Sequence, residues 1–308
     1  MRVQQRGNKM DRRTFLKTFS VGVAAAPFVR PAELFSAAPE PLPDLSIITA
    51  TDPASATRRA VEVIGGMSSF VSKGDVVVVK PNIGWDRTPE QAANTNPIVV
   101  AALVELAYAA GAKKVKVFDN TCNAARRCYK NSGIEEAARA AGADVFFVED
   151  RKLKKVNLGG EILKEWPVYT DALEADKIIN VPIAKQHSLA RITLSMKNLM
   201  GLIGGSRNLL HQKLDTNIVD LAAFFKPSLT VLDAVRILRA NGPQGGNLND
   251  VKIANTVAAS RDQVAIDAFG ATLFDKTAED LPHVREAYAR GVGEKDLGKL
   301  KLARENLS

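Results

Sequence analysis

Cysteine is nearly absent from this sequence, which contains only Cys122 and Cys128. No Cys-x-x-Cys pair occurs, so the spacing of ferredoxin-type iron–sulfur clusters and of zinc ribbons is excluded. In an oxidising compartment the two thiols are candidates for a disulfide, which requires a loop between them, because on one helix they would point in different directions. Arg126 and Arg127 stand beside them, so an anion-binding loop or an inert structural loop also stays open.

Signatures of several other function classes are missing as well. There is no P-loop and no Gly-x-Gly-x-x-Gly motif. No block of like charges and no interleaving of basic and aromatic residues occurs, which argues against nucleic acid as a partner. Beyond the N-terminus, the longest apolar stretch, at 97–111, is interrupted by Glu105 and is too short for a membrane span.

The N-terminus contains a targeting pattern. Residues 11–17 read Asp-Arg-Arg-Thr-Phe-Leu-Lys and resemble the twin-arginine export signal, with Asp11 where Ser or Thr is commoner. A weakly apolar stretch and small residues at 36–38 follow, as in a signal peptide. We expect residues 1–38 to be this signal, recognised by the twin-arginine translocase, and residues 39–308 to lie in the periplasm or another extracytoplasmic location. Retention of the leader as an anchor stays open.

The leader also accounts for most of the positive charge. The chain has a formal net charge of +8, and residues 1–38 contribute +5 of it, which leaves +3 for residues 39–308. The high isoelectric point is therefore mainly a property of the targeting segment. The apolar content of 46% and the charged content of 25% are those of an ordinary globular domain.

Alternating strand and helix patterns predict the fold class. Four consecutive valines at 76–79 indicate a strand buried on both faces, which is typical of a parallel sheet. Strands at 45–49, 114–119 and 144–148 alternate with helical segments. This order predicts an α/β fold with a doubly wound, mostly parallel sheet. A predicted hairpin at 156–162 with a Gly-Gly turn interrupts this alternation, so a smaller second lobe beginning near residue 151 stays open.

Polar residues follow several of the predicted strands. Lys80, Asp119, Asn180 and Asp233 each stand at the end of an apolar strand. In an open α/β sheet, ligands bind beyond the carboxyl ends of the strands. A charged group directly after a buried strand is costly unless it is solvated or paired, so Lys80 and Asp119 are candidate catalytic residues.

The segment 180–211 contains most of the remaining candidate catalytic and ligand-binding residues. His187 and Lys197 are candidate catalytic residues, and His187 with His211 forms a candidate metal pair. Basic side chains, amides and glycines near a helix start suit a phosphate or carboxylate. The candidate anion-binding residues are Arg207, Asn198, Gly204 and Gly205.

These residues together resemble the family called domain of unknown function 362. The resemblance covers roughly residues 44–275 and rests on the order of weak motifs: Val77 to Asn82, His187 with Thr193, Lys197-Asn198, Gly201, Arg207, Asp233-Ala234, Gly242-Pro243, and Ala259-Ser260 with Asp262 and Asp267. It implies an α/β fold and no known reaction. Many relatives have ferredoxin-like cysteine motifs, which this sequence lacks, so an iron–sulfur role is not carried over.

A more distant likeness is to the nickel-pincer lactate racemases. That family has a catalytic His, a Gly-Gly-Arg-Lys segment whose Lys anchors the cofactor, and then a metal-binding His. His187, Lys197 and His211 follow that order at similar spacing, but Leu194-Ser195-Met196 stands where Gly-Gly-Arg is expected. This likeness implies a metal or cofactor near the two histidines.

Two functions stay open at this stage. The first is an exported enzyme that acts on a small anionic molecule, with or without a bound metal or cofactor. The second is a non-catalytic protein, either a solute receptor or an accessory protein of an envelope redox complex.

Overall fold

The computed structural model describes residues 41–307. The leader expected at residues 1–38 lies outside the described residues. From residue 42 onward the chain forms one compact unit. Within this described part, no helix has the length and apolar content needed to cross a membrane.

Twelve strands occur in residues 41–307. They are β1 (Leu45–Thr49), β2 (Val76–Pro81), β3 (Lys114–Val117), β4 (Asp144–Val145), β5 (Leu153–Asn157), β6 (Glu165–Tyr169), β7 (Lys177–Val181), β8 (Ile183–His187), β9 (Arg191–Thr193), β10 (Leu229–Leu238), β11 (Val251–Ser260) and β12 (Leu302–Asn306).

Nine α-helices occur in the same range. They are α1 (Pro53–Val63), α2 (Pro97–Ala109), α3 (Ala125–Asn131), α4 (Ile134–Ala140), α5 (Thr170–Leu173), α6 (Ser195–Asn198), α7 (Leu214–Phe225), α8 (Gln263–Thr272) and α9 (Pro282–Ala289). Two 3-10 helices, Leu199–Leu202 and Arg207–Lys213, continue the chain between α6 and α7.

A ten-stranded sheet organises the domain, and its main path has the order β12-β1-β11-β10-β7-β2-β3-β4. The strands from β10 to β4 are parallel, whereas β11 runs antiparallel to both of its neighbours. β8 leaves this path, pairing with β10 in parallel and with β9 in antiparallel fashion. The predicted α/β class and mostly parallel sheet are confirmed.

Both faces of the sheet are buried, as the run of valines predicted. Val77 and Val79 belong to a core cluster that includes residues of α1, α2 and α4. Val78 points to the other face and belongs to a cluster that includes residues of α7, α8 and α9. Successive side chains of a strand point to opposite faces, so a strand covered by helices on both sides is apolar throughout.

The predicted hairpin near residue 156 is present, but its second strand begins later than expected. β5 and β6 pair in antiparallel fashion from Leu153–Tyr169 to Asn157–Glu165. The backbone N–H groups of residues 161–163 all donate to the buried carboxylate of Asp220, at 2.9–3.0 Å. These N–H groups are therefore not available for a strand ladder. β5 and β6 form a separate two-stranded sheet, and the next strand, β7, belongs to the ten-stranded sheet.

Burial at the centre of the sheet can be tested with a pair of isoleucines. Ile179 of β7 is fully buried, whereas Ile253 of β11 is 66% exposed. We expect Ile179→Ala to lower the free energy of unfolding by about 2–5 kcal/mol, because it leaves a cavity in the core. We expect Ile253→Ala to change it by about 0.5 kcal/mol or less. Urea unfolding measures both, and equal losses would contradict this packing.

Candidate functional site

The candidate site lies where the strand order of the sheet reverses. From β2 the chain proceeds outward through β3 and β4, whereas β7 pairs on the other side of β2 and leads to β10. Lys80 at the end of β2 is paired in register with Asn180 of β7. Such a switch point opens a crevice at the carboxyl ends of the strands, where ligands bind in doubly wound sheets.

A cavity of about 430 Å³ occupies this position. It is lined by Lys80, Asn82, Gly84, Trp85, Asp119, Asn120, Cys122, Lys185, His187, Ser188, Thr193, Lys197, Asn198, Met200, Gly201, Arg207, Asn208, His211 and Pro243. The lining contains three lysines and one arginine, but Asp119 is its one carboxylate.

Lys80 and Asp119 form a buried ion pair in the wall of this cavity. Lys80 Nζ lies 2.9 Å from Asp119 Oδ1, and the two side chains are 1% and 3% exposed. The other carboxylate oxygen accepts the Ile83 N–H at 2.6 Å. The backbone of Asp119 is fixed by the buried Tyr129, whose hydroxyl accepts its N–H and donates to its C=O. The two candidates from separate strand ends therefore meet.

Burial and pairing act in opposite directions on Lys80. Burial lowers the pKa of the Lys80 amine, while the charge and hydrogen bond of Asp119 raise it. Removing one partner of such a pair leaves an uncompensated charge in a low-dielectric environment. The pair is therefore a fixed structural element of the site.

Gly201 covers this ion pair at very short range. A Cβ added at Gly201 would overlap Asp119 Oδ1 and would lie 2.6 Å from Lys80 Nζ. The backbone C=O of Gly201 also accepts the Asn120 N–H at 3.1 Å. Only a residue without a side chain allows this backbone to pass over the pair.

Asn198 connects the surrounding side chains. Its Oδ1 accepts from Lys80 Nζ at 2.9 Å and from Asn82 Nδ2 at 3.0 Å. Its Nδ2 donates to Asn180 Oδ1 at 2.9 Å and to the Lys80 C=O at 3.2 Å. Both ends of the amide are thus occupied within the protein, so Asn198 positions Lys80 rather than binding an anion directly.

Lys185 was not assigned a role from the sequence, yet it is a central residue of the cavity. It is 2% exposed, and its Nζ donates to Asn82 Oδ1 at 2.9 Å and to the Ala93 C=O at 2.6 Å. Burial, with the charges of Lys197 and Lys80, lowers the pKa of Lys185 to about 7. The signal in the sequence was a lysine within the apolar strand β8, comparable to Lys80 in β2.

Lys197 differs from the other lysines in its contacts. Among the described residues, the one hydrogen-bonding contact of its Nζ is the Met200 thioether, at 3.9 Å. Burial, with the charges of Arg207 and Lys80, lowers the pKa of Lys197 to about 8. The short helix α6 that contains Lys197 is held by the buried Asp267, whose carboxylate accepts the N–H groups at the first two positions of α6.

His187 is held as a neutral donor. Its Nδ1 accepts the N–H groups of Leu189 and Ala190 at 3.1 and 3.2 Å, so the ring proton is on Nε2. Burial, followed by the charges of Lys197 and Lys185, lowers the pKa of His187 to about 3. His187 therefore presents an N–H group to the cavity across the ordinary pH range.

The two histidines lie together but do not fit a metal centre. The ring centroids of His187 and His211 are 6.4 Å apart and the rings are nearly parallel. Burial and Lys197 lower the pKa of His211. A metal ligand needs an unprotonated ring nitrogen, and Nδ1 of His187 is occupied by the backbone. No group of three or more His, Cys, Asp or Glu residues in the described chain is placed to hold an ion.

Of the candidate anion-binding residues that follow α6, one lines the cavity and two do not. Arg207 lines the cavity, and its guanidinium donates to the C=O groups of Asn120 and Thr121 at 2.9 Å. Gly204 and Gly205 do not line it, contrary to expectation. The Gly204 N–H donates to the Pro167 C=O, and both glycines pack closely on the β5–β6 hairpin.

The cysteines are free thiols and not a disulfide. Cys122 is exposed and lines the cavity, whereas Cys128 is buried. Cys128 lies on α3, whose buried side faces the core around Tyr129. Arg127 pairs with Asp86, and Arg126 lies over the Phe147 ring, so neither arginine is directed at a cavity ligand.

Thr193 is a further lining residue that received no role from the sequence. Its side chain is 3% exposed, and its hydroxyl has no hydrogen-bond partner among the described residues. Buried hydroxyls are normally paired, so this group is available to a ligand in the cavity.

The close approach of Gly201 to the ion pair leads to a prediction. We expect Gly201→Ala to lower the free energy of unfolding by about 1–3 kcal/mol, because the added methyl group displaces the buried pair. Gly84→Ala is the matched control, since its Cβ would lie 3.4 Å from the nearest atom, Asn82 Oδ1, and we expect a change below about 1 kcal/mol. Urea unfolding followed by tryptophan fluorescence compares them. An equal effect would contradict the role given to Gly201.

Two solved structures show a partial likeness to this chain. The lactate racemase apoprotein of Thermoanaerobacterium thermosaccharolyticum is 12% identical, with a TM-score of 0.43 over 77% of this chain and 58% of that one. A protein of Thermotoga maritima is 14% identical, with a TM-score of 0.34 over 63% of this chain and 52% of its own. At these values the likenesses assign no activity to this chain.

Sequence comparisons give the family. The thylakoid-associated protein sll1697 of Synechocystis sp. is 30% identical over 218 residues, which is 68% of this chain and 66% of that protein. This chain thus spans just under two thirds of that relative. Residues 77–272 match the family described as Domain of unknown function (DUF362), as the order of motifs predicted. The chain belongs to the DUF362 family.

Proposed function

We propose that this protein is an enzyme that binds a small organic anion in the cavity at the switch point and acts on it there. The observation that carries the proposal is the charge of the lining, in which three lysines and one arginine face a single carboxylate. Oriented donors and cations that converge on one cavity are suited to hold negative charge.

The donors available to a ligand are a subset of the lining. Lys80 and Arg207 are committed to protein acceptors and contribute mainly a positive potential. Lys197 has no oxygen acceptor in the described chain, Thr193 has an unpaired hydroxyl, and His187 presents its Nε2–H. A carboxylate or phosphate with a second polar group matches such a set.

We further propose that the protein is exported by the twin-arginine translocase and works outside the cytoplasm. The paired Arg12 and Arg13 followed by Phe-Leu-Lys support this. The pathway exports folded proteins, which suits a domain whose buried ion pairs form only after folding. The alternative function is a non-catalytic solute receptor or an accessory protein of an envelope redox complex.

Anion binding is the first test of the site. We expect pyruvate, oxalate and inorganic phosphate to bind the full chain, with affinity falling as pH rises through about 7 to 8, because Lys185 and Lys197 then lose their protons. We expect Lys197→Met to weaken binding about tenfold or more, since a charge-assisted hydrogen bond contributes about 1.5–3 kcal/mol. Isothermal titration calorimetry measures both.

Lys130→Met serves as the control, since Lys130 is an exposed lysine of α3 outside the cavity. We expect it to leave the affinity unchanged. An absence of binding, or equal binding by both variants, would contradict the proposed site. Binding without turnover in a screen of small acids would favour the receptor or accessory protein.

Export has its own test. We expect the double substitution of Lys for Arg12 and Arg13 in the full chain to abolish accumulation outside the cytoplasm, because the translocase reads the arginine pair. Substitution of Lys for Arg2 and Arg6 makes the same number of Arg-to-Lys changes outside the motif, again at constant charge, and should have no effect. Cell fractionation and immunoblotting measure the distribution. Unchanged export of the first variant would rule out the twin-arginine route.

A further inference from the structure

We propose that Lys197 is a nucleophile that forms an imine with small aldehydes or ketones bearing an anionic group. This inference rests on the proposed function, since it names the substrate class of the same cavity. A 2-oxo acid is the simplest member of that class, and it combines the carboxylate that the cationic lining attracts with a carbonyl carbon within reach of an amine.

Of the three lysines that line the cavity, Lys197 is the one whose amine is not held by an oxygen acceptor of the described chain. Lys80 Nζ is held by Asp119 and Asn198, each at 2.9 Å. Lys185 Nζ is held by Asn82 and by a backbone C=O. Lys197 Nζ has only the weak thioether contact among the described residues. Its nitrogen lone pair becomes available on deprotonation without breaking a protein hydrogen bond.

Hydrogen bonds hold the chain on both sides of Lys197. Asp267 is fully buried and accepts the N–H groups of Ser195 and Met196 at 2.6 and 3.2 Å. One residue after Lys197, Asn198 is tied to Lys80 and Asn180. These anchors fix the position from which the Lys197 side chain extends into the cavity, which favours attack on a carbonyl held in one orientation.

The surroundings also favour the reactive form of the amine. Burial and the neighbouring cations Arg207 and Lys80 lower the pKa of Lys197 to about 8. A larger fraction of the amine is thus neutral near pH 7 than for an exposed lysine. Desolvation and nearby cations are the means by which lysines that attack carbonyls are activated.

Two lining groups suit the carbonyl oxygen. The Nε2–H of His187 and the unpaired hydroxyl of Thr193 are donors in the same cavity. Donors on this oxygen stabilise the negative charge that develops when the amine attacks. His187 remains neutral throughout, because the backbone occupies Nδ1.

The step balances without an oxidant or a reductant. The Lys197 nitrogen bonds to the carbonyl carbon, the C=O π bond breaks and the oxygen takes up a proton. Loss of the oxygen as water removes the two protons of the original amine and leaves a carbon–nitrogen double bond. Uptake of one further proton gives the iminium ion.

Reductive trapping tests the inference. The full chain is incubated with pyruvate or glyoxylate and cyanoborohydride, then analysed by intact mass and peptide mapping. We expect one saturable adduct, located on Lys197, whose rate at saturating ligand concentration rises as pH increases through about 8. Acetone, which has a carbonyl group but no anionic group, should react much more slowly. Oxalate, which has no ketone, should compete.

The controls separate folding from chemistry. Lys197→Arg should lose the adduct while keeping the native circular dichroism spectrum and some oxalate affinity. Lys130→Arg should keep the adduct. Adducts spread over surface lysines, located on Lys185, or unchanged in Lys197→Arg would overturn the inference. Oxalate binding without any adduct would overturn it and leave the proposed anion site intact, whereas loss of both would count against the site itself.

Discussion

The buried ion pair between Lys80 and Asp119 is the constraint on which the site depends. It joins the ends of β2 and β3 with both side chains almost fully removed from water. Such a pair is tolerated only when its remaining hydrogen-bonding groups are satisfied. The Ile83 N–H donates to Asp119 Oδ2 and Lys80 Nζ donates to Asn198 Oδ1, while the Gly201 backbone packs directly against the pair.

One carboxylate does not balance the cations around it, and this imbalance determines the chemistry. Asp119 is paired with Lys80, which leaves Lys185 and Lys197 in the same cavity lining without a carboxylate to pair with. Desolvation lowers the pKa values of both amines, assisted by the charges of Lys197 and Lys80 at Lys185 and of Arg207 and Lys80 at Lys197. The excess of cationic side chains favours an anionic ligand, and the lowered pKa values favour an uncharged amine when no anion is bound.

The sequence predicted the sheet well because buried parallel strands have a distinctive apolar pattern. It also placed Lys80, Asp119, Lys197 and Arg207 at the cavity, since polar residues at strand ends and in one dense segment are visible locally. The prediction that Gly204 and Gly205 bind an anion was wrong, because both residues pack against the β5–β6 hairpin, which lies about 40 residues earlier in the sequence. The pairing of Asn198 with Lys80, 118 residues away in sequence, was not visible in either segment.

His187 shows most clearly what three-dimensional structure adds to the residue type. A histidine in a polar segment suggests proton transfer or metal binding, because a free imidazole offers both nitrogens. Here the turn after β8 directs the N–H groups of Leu189 and Ala190 at Nδ1, and burial keeps the ring uncharged. The one remaining function is donation from Nε2. In the proposed imine chemistry, this N–H group donates to the carbonyl oxygen of the ligand. The Lys197 amine, which has no strong hydrogen bond in the protein, is then the group that attacks the carbonyl carbon.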